Sequence, residues 1–240
     1  MQLFYNKDIT PDGYCTLDAE ESRHAVRVLR LREGDELHVT DGCGNMYCCQ
    51  VVEADDKGCV VECKSPRSTL HAPLSVHLAV APTKNPSRME WLVEKAVEIG
   101  VGEITLLDCD HSERSFLKTE RLQKIAVSAM KQSLRIWLPR INPATSLRDW
   151  LHSPLSALHS PLKLIAHCES DQPRVPLADA LQPGRDAMVL IGPEGDFSAE
   201  EIALALEHGY QPVSLGPSRL RTETAALYAV AAFNFINDRL

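Results

Sequence analysis

The chain lacks a long hydrophobic run. Its longest unbroken apolar stretch, residues 225–233, falls far short of the ~20 residues a membrane span needs, which argues against a spanning protein. The first residues, MQLFYNKDITPDG, lack the basic region and apolar core of a secretory signal, so a cytoplasmic location is expected. Zinc-type cysteine spacing is absent too. Eight cysteines occur, six of them between Cys15 and Cys63, yet none forms C-x-x-C and no H-x-x-x-H pattern follows. Structural zinc sites want short paired spacings, so no metal is expected and the cysteines read as reduced, buried strand residues. With 12 glycines and 15 prolines in 240 residues, a collagenous or low-complexity chain is excluded. There is no G-x-x-x-x-G-K-[ST], G-x-G-x-x-G or H-E-x-x-H, and no G-x-S-x-G. The signatures of P-loop nucleotidases, dinucleotide enzymes, zinc proteases and serine hydrolases are therefore missing.

What is present is ordinary for a soluble protein, at 44% hydrophobic and 24% charged residues. Taken alone, the net charge of −8 weighs against a nucleic-acid partner. The charge is unevenly spread. Residues 113–140 hold seven basic side chains and two acidic ones, a local excess of +5. A basic segment on an acidic protein has the character of a site, with non-specific RNA binding held down elsewhere.

Two regions differ in pattern. Residues 1–70 carry strand-like runs at 3–5, 36–40, 46–54 and 59–63, with the turn sequences DGCGN and DDKG between or after them. One helix interrupts, opened by Asp18 with Glu21 three residues on, in the manner of a capping box. Its inward face is expected to be Ala19, Ser22, Val26 and Leu29, with Arg23, Arg27 and Arg30 on another. Hairpins with one helix predict a small barrel. Residues 65–73, SPRSTLHAP, read as a linker. Beyond it, strand-like runs at 75–81, 103–108, 162–167 and 187–192 alternate with helices, which predicts an α/β domain over 73–240 with a mainly parallel sheet. Asn85-Pro86 caps one helix and Gly100 stops it. Another helix begins near Thr119; its inward face is Leu122, Ile125, Ala126, Ala129 and Ser133, and Arg121, Lys124, Lys131 and Arg135 form a separate basic stripe. The last helix, from Thr222, is apolar nearly all round, as helices buried in a domain or between subunits are.

Two loops carry candidate chemistry. Ile191-Gly192-Pro193-Glu194-Gly195-Asp196 follows an apolar strand, and Ser198 with Glu201 then resembles a capping box. Ligands of open α/β sheets favour this end of the strands. The second loop, Leu215-Gly216-Pro217-Ser218-Arg219-Leu220-Arg221-Thr222-Glu223-Thr224-Ala225, follows a short strand at 212–215 and leads into the apolar helix. Taken alone, each loop is equally an ordinary strand-to-helix connection. His24 and His167 adjoin these candidates; the other histidines read as structural or exposed.

Taken in order and at their spacing, several segments resemble one family. They are His24…Val28-Leu29-Arg30 with Gly34-Asp35, Lys84…Met89-Glu90…Glu98-Ile99-Gly100-Val101, Arg114-Ser115, Gln132-Ser133-Leu134-Arg135…Pro139, residues 191–195, and residues 220–225. The chain is similar over almost its whole length to the bacterial small-subunit ribosomal RNA (uridine-N3) methyltransferases of the SPOUT superfamily. It departs from their pattern at Asp196, where glycine is usual, and at Ser218-Arg219, where arginine then isoleucine is common.

The resemblance implies a PUA-like RNA-binding β-barrel over 1–70 and a trefoil-knotted α/β methyltransferase domain over 73–240. It implies a homodimer acting on a U1498-type uridine of 16S rRNA in the small ribosomal subunit. It also implies S-adenosylmethionine as methyl donor, held by the strand end at Ala81, by His167, by Ile191, Gly192, Pro193, Glu194 and Gly195, and by Ser214, Leu215, Gly216, Leu220, Thr222, Thr224 and Ala225. For catalysis, Glu223 is a candidate proton acceptor, and Arg221, Arg114 and Arg135 are candidates to stabilise the uracil anion. Arg23, Arg27, Arg30, Arg121, Lys124 and Lys131 are expected to meet RNA phosphates. Two other readings stay open: a related knotted enzyme methylating a ribose 2′-oxygen, and a non-catalytic RNA-binding assembly factor.

Overall fold

The computed structural model describes residues 2–69, 74–113, 117–152, 161–169 and 173–237. These fall into two compact units, one formed by residues 1–73 with 127–138, the other by 74–126 with 139–240. The first unit takes in the second half of a helix that begins in the other, a grouping that no composition change announces.

In the first unit, β1 (Leu3–Tyr5), β2 (Tyr14–Thr16), β3 (Glu36–Thr40), β4 (Asn45–Glu53) and β5 (Val60–Thr69) form a curled sheet of order β1-β3-β4-β5-β2. The β3–β4 hairpin turns at Asp41, whose carboxylate accepts from the Cys43 and Asn45 N–H groups. Alternate side chains point inward, placing Phe4, Leu37, Val39, Cys49, Val51, Val61 and Cys63 in one core. Cys59 is also buried there, and Cys49 faces Cys63 across the strands. β5 runs on into the segment expected to be a linker, as far as Thr69. Its Pro66 is tolerated because the β4–β5 ladder shifts register on either side of it.

The interrupting helix is capped as expected at Asp18, which accepts from the Glu20 and Glu21 N–H groups. Glu21 does not complete a capping box, because its carboxylate pairs with Lys131. After α1 (Ala19–Arg23) the chain widens into a π-helical turn, His24–Val28. Of the expected inward face, Ser22 is buried and Val26 and Leu29 are half-buried, whereas Ala19 is exposed and Ala25 is buried in its place.

The second unit is built on β6 (Val76–Val80), β7 (Glu103–Asp108), β8 (Arg140–Ser146), β9 (Leu162–Ala166), β10 (Val175–Pro176), β11 (Ala187–Ile191) and β12 (Gln211–Ser214), in the order β10-β12-β9-β11-β6-β7-β8. Every pairing is parallel. β8 and β10 were not legible as strands because each contains proline; both are edge strands, where a missing N–H is harmless. With the sheet go α2 (Pro86–Ile99), α4 (Leu147–His152), α5 (Leu177–Ala180), α6 (Ala199–Glu207) and α7 (Thr222–Asn237), while α3 (Thr119–Gln132) is divided between the two units. α2 and α7 pack together and α7 lies on β6 and β11. Trp150 and Leu151 of α4 join Ile202 and Ala205 of α6 in a second apolar cluster with Ile165, Met188 and Leu190 of the sheet. The Asn85 cap, the Pro86 start and the left-handed Gly100 stop (φ 116°) are all present, as is the Ser198–Glu201 capping box. The class is the expected α/β one, a parallel sheet with a small curled N-terminal sheet. α7 is less enclosed than its composition suggests, with Tyr228 and Phe235 exposed.

Candidate functional site

Three neighbouring strands, β12, β9 and β11, run parallel and end side by side at Ser214, Ala166 and Ile191. The chain leaving each must turn at the same edge. The loops after them therefore converge on a cleft with two lobes. One, of about 310 Å³, is lined by Ile191, Gly192, Pro193, Glu194, Asp196, Leu220, Arg221 and Thr222. The other, of about 80 Å³, is lined by His167, Arg174, Val213, Ser214, Leu215, Gly216 and Ser218. Ala166, Cys168, Ile191, Arg219, Leu220 and Ala225 border both. The larger lobe is at the lower end of the ligand-pocket range, roughly 300–1,000 Å³.

Backbone comes close to this space. A Cβ on Gly192 would stand 3.1 Å from the Phe197 ring and 3.2 Å from its nitrogen, so the loop seats tightly only without a side chain. Gly216 has φ 113°, a conformation glycine favours. Asp196 also adopts a left-handed conformation (φ 65°), which Asp tolerates better than most residues. Its carboxylate accepts from Cys168 N (2.6 Å) and Phe197 N (2.9 Å), and its carbonyl accepts from His111 Nδ1 (3.1 Å). Asp196 thus ties the loop after β11 to the loop after β9. Glu194 accepts from Lys84 N (3.0 Å), and the Lys84 ammonium pairs with Glu113 (2.7 Å).

His167 is 4% exposed, and neither ring nitrogen has a partner among the described residues. Burial lowers its pKa, which keeps the ring neutral at pH 7. A buried polar group without a partner is rare and calls for an explanation; a polar ligand in the adjoining lobe supplies one. The apolar walls (Ile191, Leu220, Ala225), the glycine-lined backbone and a neutral imidazole form a donor set that fits a nucleoside with a charged tail.

Not every expected residue lines this cleft. Ala81 is buried in the apolar core and its N–H donates to Ile191 O (3.0 Å). Gly195 packs against His111, and Thr224 is exposed beyond the lobes. Glu223 is 7% exposed and faces Arg88 of α2 at 3.5 Å, with its second oxygen lacking a hydrogen-bond partner among the described residues. Arg221 is exposed on the wall of the larger lobe. Arg114 lies outside the described residues. Arg135 belongs to the first unit, half-buried, with its N–H on Met130 O (3.0 Å).

Several of the cations expected to meet RNA are engaged in ion pairs. Arg121 pairs with Glu90 (2.6 Å), Lys131 with Glu21 and Arg27 with Asp56. Arg23, Arg30 and Lys124 are exposed. The sequence reading missed Arg88, Cys168 and Arg174. Arg174 reaches the cleft because β10 pairs with β12, and its guanidinium donates to His167 O (2.5 Å); no local motif marks it. Asp196 was visible only as a departure from a pattern.

A model of the RNA methyltransferase domain family matches residues 70–234, and one of the RNA methyltransferase PUA domain matches 17–63. The ribosomal RNA small subunit methyltransferase E of Synechocystis sp. is 32% identical over 91% of this chain and 72% of its own. The crystal structure of a probable rRNA methyltransferase from Porphyromonas gingivalis is 40% identical, with TM-score 0.89 over 100% of this chain and 99% of that one. The ribosomal RNA small subunit methyltransferase E of Neisseria gonorrhoeae, solved bound to S-adenosylmethionine, is 28% identical, with TM-score 0.82 over 99% and 98%.

Proposed function

Because the chain belongs to the ribosomal RNA small subunit methyltransferase E family, we propose that it methylates N3 of one uridine in 16S rRNA, with S-adenosylmethionine as donor. The observation that carries this reading is the cleft where three parallel strands end, walled by apolar side chains and holding the unpartnered His167. When bound, S-adenosylmethionine supplies a methyl group on a positively charged sulfur. Ile191, Leu220 and Ala225 would enclose its adenine, with backbone of the 192–193 and 215–216 segments along its edge. The neutral His167 ring would offer it one donor and one acceptor.

Uracil N3–H is a weak acid, comparable to a phenol at about 10, so its proton must pass to water before the nitrogen attacks the methyl carbon and the sulfur leaves as a neutral thioether. Arg221, on the wall of the larger lobe, is assigned to stabilise the resulting anion; each unit of acidity gained is worth about 1.4 kcal/mol. Arg114 and Arg135 remain further candidates for that charge. Glu223 faces Arg88 rather than the cleft. We therefore give it a positioning role, fixing the first turn of α7 and with it Arg221. N3 lies on the pairing edge, so the base must be unpaired and turned out of its stack.

In this reading residues 1–70 bind RNA, residues 73–240 transfer the methyl group, and the enzyme works in the cytoplasm without a metal ion. A second copy covers part of α7, which the exposure of Tyr228 and Phe235 supports; a mass of one chain by light scattering would overturn the dimer. The test of function is radiolabelled methyl transfer to small-subunit rRNA followed by nucleoside mass spectrometry. N3-methyluridine is expected. A ribose 2′-O-methyl product would instead favour the related knotted enzyme, and absence of transfer the assembly factor.

A further inference from the structure

A cavity of about 520 Å³ opens within the first unit. One wall is the helical segment that carries Arg23, His24 and Val28. The other is the last turn of α3 and its exit, with Ser128, Lys131 and Gln132. Both walls have unusual backbone. His24 and Val28 bound the π-helical turn, a rare form that occurs mostly at functional sites. Leu134, at the rim, ends α3 with φ 57°, where a Cβ is disfavoured and glycine is usual. That conformation leaves Leu134 44% exposed, and Val28 is 64% exposed on the opposite wall. Strained conformations of this kind persist where surrounding structure holds them, often at binding sites.

The groove is not a phosphate trench. Its cations, Arg23 and Lys131, are offset by Glu20 on the wall and by buried Glu21, which pairs with Lys131. What it offers is neutral hydrogen bonding. Gln2 Nε2 donates to His24 Nε2 (2.7 Å), which holds both side chains in place. Gln132 and Ser128 are exposed on the facing helix. Amides and a hydroxyl between two aliphatic lips suit the hydrogen-bonding edge and flat faces of a nucleobase, and one guanidinium at the edge suits its single phosphate. Phosphate contacts position RNA, whereas base contacts specify it, and unpaired bases are the ones a protein reads by their edges.

We propose that this groove receives one unpaired nucleotide of the rRNA, distinct from the methylated one, and reads its base. The proposal rests on the RNA-methyltransferase reading above. Its test uses the full chain carrying Gln132→Ala or Ser128→Phe, both exposed helix positions, with thermal melting to verify the fold. Methyl transfer is measured against small-subunit rRNA concentration. Ser128→Phe fills the groove and Gln132→Ala removes an amide, so each raises the KM for RNA about ten-fold. The affinity for S-adenosylmethionine stays as in the parent. The salt dependence of RNA binding also stays, since a neutral amide releases no counterion. If Ser128→Phe melts normally and keeps the parent KM for RNA, the groove proposal fails while the enzyme assignment stands. If the parent chain itself transfers no methyl group to rRNA, the reading beneath it fails.

Discussion

The cleft of the second unit and the groove of the first are built by opposite routes. The cleft forms where parallel strands end, so its loops are each continuous in sequence and rich in glycine and proline. The groove forms between a helix near residue 24 and one near residue 131, more than a hundred residues apart. The cleft combines close backbone, as at Gly192, with side chains such as His167 and Leu220 carried on its own loops. The groove presents side chains from two helical segments whose backbone is itself unusual. A local motif can announce the first kind of site; the second exists only after the chain has folded.

The contrast is sharpest at Lys131. Its ammonium holds the buried carboxylate of Glu21, so Lys131→Ala leaves that charge without a partner and is expected to lower stability by about 3 kcal/mol, measured by urea unfolding. A loss below about 0.5 kcal/mol would show that the groove wall does not depend on the pair. The matching change in the cleft is Gly192→Val, whose branched side chain collides with Phe197 and fills the loop's inner face. It is expected to weaken S-adenosylmethionine binding about 100-fold, or about 2.7 kcal/mol; calorimetry that finds equal affinity would displace the ligand from this lobe.

Asp196→Ala removes the acceptor shared by Cys168 N and Phe197 N and puts a less tolerant residue at φ 65°. A loss of about 1–2 kcal/mol is expected, because water replaces part of the bonding at exposed Cys168. Asp196→Asn keeps a carbonyl acceptor and should recover about half of that on the same melting curves.

One pH effect belongs to the second unit. His77, under Trp150 and beside Thr105, Glu103 and Arg140, has its pKa lowered to about 4, chiefly by burial and against the pull of Glu103. The unfolded chain, with an ordinary His pKa near 6.5, then binds a proton that the folded chain refuses. Its contribution to stability is therefore full above about pH 6.5 and declines as the pH falls toward 4. His77→Gln should flatten the acid branch of the melting-temperature profile between those values; an unchanged profile would contradict the assignment.

The smallest effect is expected at Lys124, exposed on the basic stripe. Lys124→Ala should leave stability nearly unchanged, since alanine is the best helix former. It should lower the salt slope of RNA binding by roughly 0.7–0.9. No change in slope would make Lys124 a solvated helix residue.

Local chemistry was enough to fix much of the second unit. Asn85-Pro86, Gly100 and the Ser198–Glu201 box act within one turn of chain, and apolar runs at 75–81, 103–108 and 187–192 can only be buried strands. The two cleft loops were legible because a parallel sheet forces its loops to turn at strand ends. Tertiary structure decided the rest, since it depends on contacts between residues distant in sequence. Proline-bearing β8 and β10 are strands because they fall at the sheet's edges. Glu21 leaves its expected capping box because Lys131, 110 residues later, binds it first. Arg88 meets Glu223, and Arg174 meets His167, only through the packing of α2 on α7 and the pairing of β10 with β12. The sequence determined which segments turn, cap and bury; the fold alone decided which charged and polar side chains would face one another, because a long-range electrostatic partner leaves no periodic trace in the chain.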